Sequence, residues 1–118
     1  MKREQLEELG YIVRAELADE DIDDYLYVAE DQDGDLEVLH FYRNGLYLVP
    51  TVEIYFFSSF RKRERNKLRK QPQDFLETFD KRITFTVPDV TMEEEGWLRN
   101  KKNKKNSLEW IEEYVEEN

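Results

Sequence analysis

Two turn dipeptides, Asp33-Gly34 and Asn44-Gly45, separate three strand-like segments in the first half of the chain. The segments are Tyr25–Glu30, Leu36–Arg43 and Leu46–Phe57, and all three are rich in β-branched and aromatic residues. Asp-Gly and Asn-Gly between such segments are the strongest short signals for a β-hairpin. The pattern therefore predicts a three-stranded antiparallel meander.

Pairing across each turn follows by counting if both turns are two-residue loops. The first hairpin then pairs Val28 with Leu39 and Leu26 with Phe41, and the second pairs Phe41 with Leu48. Both hairpins place these five apolar side chains on one face of the sheet, which is the predicted core face. The other face is predicted to be an exposed aromatic surface with polar tips, formed by Tyr25, Tyr27, His40, Tyr42, Tyr47 and Val49.

The segments before the meander predict a helix, a strand and a loop. Met1–Leu9 has the apolar spacing of a short helix that ends at Gly10. Tyr11–Leu17 is predicted to be extended. Ala18–Tyr25 contains five carboxylates and is predicted to be an exposed acidic loop.

The segments after the meander alternate between helix and strand. Residues 61–70 predict a basic helix, with Ser58 or Ser59 as its N-cap and Gln71-Pro72 at its end. Gln73–Arg82 predicts a second helix whose Phe75, Leu76 and Phe79 pack on the sheet. The rest of the chain predicts a strand over Ile83–Pro88, an exposed linker over 89–106, and a final helix capped by Ser107 with Leu108, Ile111 and Val115 at helical spacing.

A chain of 118 residues can bury one core but hardly two, so residues 1–118 are predicted to form a single α+β domain with an antiparallel meander of about four strands flanked by helices. Cysteine is absent, which excludes disulfides, thiolate zinc sites and thiol nucleophiles. The first residues carry charges and no long apolar stretch. We therefore expect a cytoplasmic location and no membrane contact.

The residues that catalysis or cofactor binding requires are scarce. His40 is the only histidine, and the sequence gives it no partner, so a packing role is predicted. Four glycines cannot form a phosphate-binding glycine-rich motif. Asp31, Asp33 and Asp35 surround Gly34, but an EF-hand requires glycine and glutamate where this chain has Leu36 and Tyr42, so a hairpin turn is preferred. We predict no enzyme, no metal and no cofactor, and keep a small hydrolase built on Glu53 and a second acid only as a remote alternative.

Negative charge is concentrated in the first half of the chain, where residues 1–60 carry 15 acidic and 4 basic side chains within a total charge of −10. The predicted function is binding, without catalysis, to a basic nucleic-acid-binding enzyme, as an inhibitor that imitates DNA. In small size, acidity and scarce glycine the chain resembles in character the anti-defence and DNA-mimic inhibitors of phages and mobile elements. The predicted contact residues are Asp19, Glu20, Asp21, Asp23, Asp24, Glu30, Asp31, Asp33, Asp35 and Glu37, with Tyr25, Tyr27, Tyr42 and Tyr47 as anchors.

Positive charge is concentrated in one predicted helix, which carries seven basic residues and only one acidic residue. Three interpretations remain open. The helix is solvated and forms salt bridges with the acidic body, or it contacts nucleic acid, or it organises a homodimer or docks on an acidic protein. Direct nucleic-acid binding is the less favoured function because of the overall negative charge. Its candidate residues are Arg61, Lys62, Arg63, Arg65, Lys67, Arg69 and Lys70.

Overall fold

The structure is a computed structural model that describes residues 1–44, 49–79 and 107–117. It contains four strands, four α-helices and two 3₁₀ turns within these ranges. In chain order they are α1 (Arg3–Glu8), β1 (Ile12–Asp19), η1 (Glu20–Ile22), β2 (Asp24–Glu30), β3 (Leu36–Asn44), β4 (Val49–Phe56), η2 (Phe57–Ser59), α2 (Lys62–Lys70), α3 (Pro72–Thr78) and α4 (Leu108–Glu117).

The four strands form one antiparallel sheet in the order β1-β2-β3-β4, so the α+β class and the meander are confirmed. The segment predicted as extended after Gly10 supplies the fourth strand, β1. The predicted strand Ile83–Pro88 and the predicted linker 89–106 lie outside the described residues.

The first hairpin differs from its predicted register by one residue. Tyr25 pairs with Phe41 and Val28 pairs with Val38, so the predicted pairs are wrong. The turn is a longer loop that contains two backbone hydrogen bonds, Asp31 N to Asp35 O (2.9 Å) and Gly34 N to Asp31 O (3.0 Å). Gly34 has φ +86°, which is the left-handed residue expected in a three-residue hairpin loop with a bulge.

The second hairpin differs from its predicted register by four residues. Asn44 pairs with Val49, which leaves residues 45–48 as the connection, and Phe41 pairs with Val52 rather than Leu48. Because four is an even number, the alternation of β4 is preserved and Val52 and Ile54 share a face with Phe41 and Leu39. The two-residue loop predicted at Asn44-Gly45 is therefore wrong, and Leu48, which was predicted on the core face, lies outside the described residues.

The sheet carries apolar side chains on both faces. The one-residue shift places Leu26 and Val28 on the same face as Val38, opposite the face of Leu39 and Phe41. On one face, α2 and α3 cover Leu26, Val28 and Val38. On the other, α1 and α4 cover Tyr27 and Leu39. The single predicted core face is wrong for this reason, although its apolar members from β2 and β3, Leu26, Val28, Leu39 and Phe41, are all buried.

Strand β1 lies at an edge of the sheet, and two features, a bulge and a pair of side-chain hydrogen bonds to its backbone, limit its pairing with a further strand. The register shifts at Arg14 between Val13 and Ala15, and this bulge sends these two side chains to opposite faces. The amide of Gln73 then accepts a hydrogen bond from Glu16 N (3.3 Å) and donates one to Glu16 O (3.0 Å). Gln73 therefore occupies backbone groups that an added strand would use.

Helices α2 and α3 form where the sequence predicts them, but their bounds differ, because α3 ends at Thr78 with Phe79 extended instead of continuing to Arg82. Arg61 is the N-cap residue of α2 and makes no side-chain cap, so the predicted serine cap is wrong. Phe60 and Leu68 are buried and hold α2 on the core. Pro72 opens α3, and Phe75 and Leu76 pack on the sheet as predicted.

The final helix, α4, packs Ile111 and Leu108 against the face that carries Tyr27, whereas Val115, predicted on the same side of the helix, is 39% exposed. Ser107, predicted as its cap, donates its hydroxyl to Glu37 Oε1 at 2.7 Å.

Candidate functional site

The predicted acidic loop forms a short, ordered turn between β1 and β2, and we call residues 19–23 the acidic turn. Asp19, Glu20 and Asp21 are exposed. The Asp19 carboxylate accepts a hydrogen bond from Asp21 N (3.2 Å), and Asp23 closes the turn in the left-handed region with φ +58°. The turn therefore presents its carboxylates from a fixed backbone.

Basic side chains near the acidic turn neutralise part of its charge. Arg43 Nε lies 2.9 Å from Asp23 Oδ2, and Lys2 Nζ lies 4.0 Å from Glu20 Oε2 between two well-exposed side chains. Exposed pairs of this kind contribute little energy. Neither Asp19 nor Asp21 forms an ion pair within the described part of the chain.

Two apolar side chains are exposed beside these carboxylates. Ile22, inside the acidic turn, is 62% exposed, and Leu17, on the edge strand β1, is 43% exposed. Single exposed apolar residues are common on proteins. Two of them beside a carboxylate rim give this end of the sheet the composition of a small protein-binding surface.

The other predicted acidic contacts lie at the opposite end of the sheet. β2 separates the acidic turn from the β2–β3 turn, and a seven-residue strand is about 20 Å long. Asp31 and Glu37 are buried, at 5% and 1% exposure, and Glu30 forms a salt bridge with Arg14. The predicted acidic contact residues are therefore divided into two groups, and two of them, Asp31 and Glu37, are internal.

Fewer tyrosines are exposed than the sequence predicts. Tyr25 and Tyr27 are buried at 5% and 0% exposure, and the Tyr27 hydroxyl donates to Met1 O (2.7 Å). The one-residue register shift explains this, because it turns both rings towards the core that contains Leu39 and Phe41. Tyr42 is half-buried, and Tyr47 lies outside the described residues.

Helix α2 presents most of its basic residues to solvent. Within the described residues, none of its side chains forms an ion pair with a carboxylate, so the interpretation that it forms salt bridges with the acidic body finds no support there. Arg65 and Arg69 lie over the Phe57 ring, 6.0 and 4.9 Å from its centroid. The exposed basic residues are Arg61, Lys62, Arg63, Arg69 and Lys70, and we call them the cationic face.

His40 has partners that the sequence could not assign. Its Nε2 lies 3.0 Å from Asp24 Oδ1, and its Nδ1 lies 3.7 Å from Glu53 Oε1, which is the residue opposite it on β4. Tyr42 and Tyr55 donate to the two oxygens of Glu53 at 2.8 and 2.6 Å. Only cross-strand register brings these groups together, and the register was the part of the prediction that failed.

The chemistry of this cluster is that of a hydrogen-bonded network. Burial acts to raise the pKa of Glu53, but the interaction with His40 and the hydrogen bonds from Tyr55 and Tyr42 outweigh it and lower that pKa. A carboxylate with a lowered pKa is a weaker base. The hydrogen bonds of Asp24, His40 and Glu53 connect side chains of β2, β3 and β4 on one face of the sheet.

The β2–β3 turn places three carboxylates together. Asp31 Oδ1 accepts hydrogen bonds from Asp33 N and Asp35 N, both at 2.9 Å, while Asp31 Oδ2 is buried without a partner. Glu37, on β3, is buried beside Asp31, and its Oε2 also has no partner. Burial raises the pKa of Glu37 to about 9.

Comparison of the sequence with family models and curated proteins, and of the structure with solved structures, gave no match. Among the described residues, no helix has the length and apolar character needed to cross a bilayer.

Proposed function

We propose that this chain acts without catalysis, by binding a basic surface of another protein through the acidic turn. The observation that carries this proposal is Ile22, which is 62% exposed in the same turn as three exposed carboxylates. Protein interfaces combine a desolvated apolar centre with a polar rim. Ile22 would supply the centre, and Asp19 and Asp21 the nearest part of the rim.

Each part of this surface has its own energetic role. Burial of an exposed isoleucine contributes about 1–2 kcal/mol. Carboxylates that face a basic partner mainly accelerate association and make it sensitive to salt. The segment from Glu16 to Asp24 contains six acids and no base, which favours a strongly basic partner such as a nucleic-acid-binding enzyme. Binding there would compete with nucleic acid, so the protein would act as an inhibitor.

Retention of purified basic probes on a column of the immobilised protein tests this proposal. The probes are a basic nuclease and a basic polymerase, eluted with salt. We expect retention on the wild-type column, weaker retention with Ile22→Ala, and loss with Asp19→Lys combined with Asp21→Lys. The control is Glu77→Lys, a charge reversal at an exposed position on α3. Equal retention on the reversed and wild-type columns would contradict the proposal.

A second candidate function is nucleic-acid binding, and the cationic face of α2 favours it. Five exposed basic side chains form no ion pair with any other described residue and are available to neutralise phosphates. Screening limits the opposing effect of distant acids, because the Debye length is about 8 Å at physiological salt. The local charge of α2 therefore matters more than the total.

Mixing the protein with labelled DNA or RNA at low salt separates the two functions. Nucleic-acid binding by α2 predicts a shift that weakens as salt rises and disappears in Lys62→Glu combined with Arg63→Glu. The variant Asp19→Lys with Asp21→Lys should keep that shift. No shift with the wild-type protein would reject the second function and leave the first intact.

A further inference from the structure

We propose that Tyr42 and Glu53 bind an arginine side chain of the basic partner, on the face of the sheet that carries α2 and α3. We call these two residues the sheet patch. This inference rests on the proposed function and deepens it, because it names the chemical group that the partner presents beside the acidic turn.

The strand register places the sheet patch on the same face as Asp19 of the acidic turn. Side chains of this face form two adjacent rows that cross the sheet from β1 to β4. The first row is Leu17, Leu26, His40 and Glu53, and the second is Asp19, Asp24, Tyr42 and Thr51. The two edge strands are about 14 Å apart, since neighbouring strands are separated by about 4.8 Å. One protein partner spans this distance, so it can contact Asp19 at one edge and Glu53 at the other.

Glu53 presents a carboxylate whose position is fixed. Its side chain is 41% exposed, and its oxygens accept hydrogen bonds from Tyr42 (2.8 Å) and Tyr55 (2.6 Å). A carboxylate has about four acceptor sites, and the two hydroxyl groups together with His40 Nδ1, at 3.7 Å, occupy at most three of them. The lowered pKa of Glu53 keeps the group ionised at neutral pH. Within the described part of the chain no lysine or arginine forms an ion pair with it, so its charge and one acceptor site are available to a cationic partner.

The aromatic neighbour of Glu53 favours a guanidinium group over an ammonium group. The Tyr42 ring stacks on the His40 ring, with 4.4 Å between their centroids and 14° between their planes, while the Tyr42 hydroxyl donates to Glu53. A guanidinium group is planar and weakly hydrated, so it can donate to a carboxylate and also contact an adjacent ring. An ammonium group is a compact and strongly hydrated charge. The sheet patch combines a fixed carboxylate with an ordered ring and therefore fits an arginine side chain better than a lysine side chain.

Fluorescence anisotropy with two labelled peptides, nona-arginine and nona-lysine, tests the sheet patch, because the peptides carry the same charge. We expect the wild-type protein to bind nona-arginine about threefold or more tightly than nona-lysine. Glu53→Gln should remove this preference. The control is Glu77→Gln, which removes the same charge at an exposed position on α3 and should leave the preference unchanged. A second measurement needs no variant: the NMR signal of the Glu53 carboxyl carbon in the wild-type protein should shift with nona-arginine more than with nona-lysine.

Three results would overturn the inference: equal binding of the two peptides by the wild-type protein, a preference for nona-arginine that survives Glu53→Gln, or a Glu53 signal that nona-arginine does not shift. The proposed function has its own outcome, because Asp19→Lys combined with Asp21→Lys should weaken binding of both peptides. If that variant weakens both and Glu53→Gln has no effect on the preference, the inference fails and the proposed function stands. If the wild-type protein binds neither peptide, both fail.

Discussion

Replacing Glu37 by glutamine tests how this buried carboxyl group affects stability. Glu37 is 1% exposed, accepts a hydrogen bond from Ser107 and lies beside Asp31. Burial is the main cause that raises its pKa from 4.5 to about 9; the hydrogen bond with Ser107 acts to lower the pKa, and Asp31 and Asp35 act to raise it. The Glu37 carboxyl group is therefore protonated in the folded protein at neutral pH.

The sign of the effect follows from proton counting. Between pH 4.5 and about 9, the folded state holds a proton on Glu37 that the unfolded chain has released. Stability therefore falls as pH rises across this window. Each pH unit corresponds to about 1.4 kcal/mol, so the group lowers the free energy of unfolding by at most about 3 kcal/mol at pH 7 relative to pH 4.5. Below pH 4.5 this penalty is absent.

Urea denaturation from pH 5 to pH 8 measures how the free energy of unfolding changes with pH. The amide of Glu37→Gln has the same shape, does not titrate, and can donate to Asp31 while accepting from Ser107. We expect the free energy of unfolding of the variant, minus that of the wild type, to increase by about 1.4 kcal/mol per pH unit. In the control Glu77→Gln, at an exposed position, the difference should stay nearly constant.

A difference for Glu37→Gln that does not change between pH 5 and pH 8 would refute the reasoning. It would mean that Glu37 is ionised in the folded protein, and hence that it is solvated or has a cationic partner.

Two further predictions concern hydrogen bonds of the sheet. Gln73→Ala should lower the free energy of unfolding by about 1–2 kcal/mol, because two hydrogen bonds to the backbone of Glu16 are lost. The freed backbone of the edge strand should also increase self-association, measured by sedimentation velocity. A variant that remains as monomeric as the wild type would contradict this prediction. Tyr42→Phe should raise the pKa of Glu53, measured by NMR titration of its carboxyl carbon, because one donor to the carboxylate is lost. The lowered pKa stabilises the fold above the ordinary range for glutamate and not below it, so Tyr42→Phe should cost stability at pH 7 but not at pH 3; equal costs would contradict this.

The two hairpins explain what the sequence could predict about the fold. Turn dipeptides and strand composition located three strands, because these signals are local. The register depended on loop length, which Asp-Gly and Asn-Gly do not determine. The four-residue error at Asn44-Gly45 is even and leaves the alternation of β4 relative to β3 unchanged, whereas the one-residue error at Asp33-Gly34 is odd and exchanged the faces of β2. One residue of loop length thus moved Tyr25 and Tyr27 from a predicted surface into the core.

The candidate sites were predictable to different degrees for the same reason. The exposure of the acidic turn and of α2 follows from charge density along the chain, which needs no register. The pairing of His40 with Asp24 and Glu53, and the burial of Glu37 beside Asp31, depend on contacts across strands. A single sequence contains no signal for such contacts beyond the turn itself.

The net charge of −10 is a weak guide to what this protein binds, because its described charges are segregated. The acidic turn and the β2–β3 turn lie at opposite ends of β2, a separation of about 20 Å, which is more than two Debye lengths at physiological salt. A ligand at one end therefore experiences mainly the charges of that end. It follows that charge reversals in the acidic turn and in the β2–β3 turn should act independently of one another, and a change in total charge alone should not alter binding at the acidic turn.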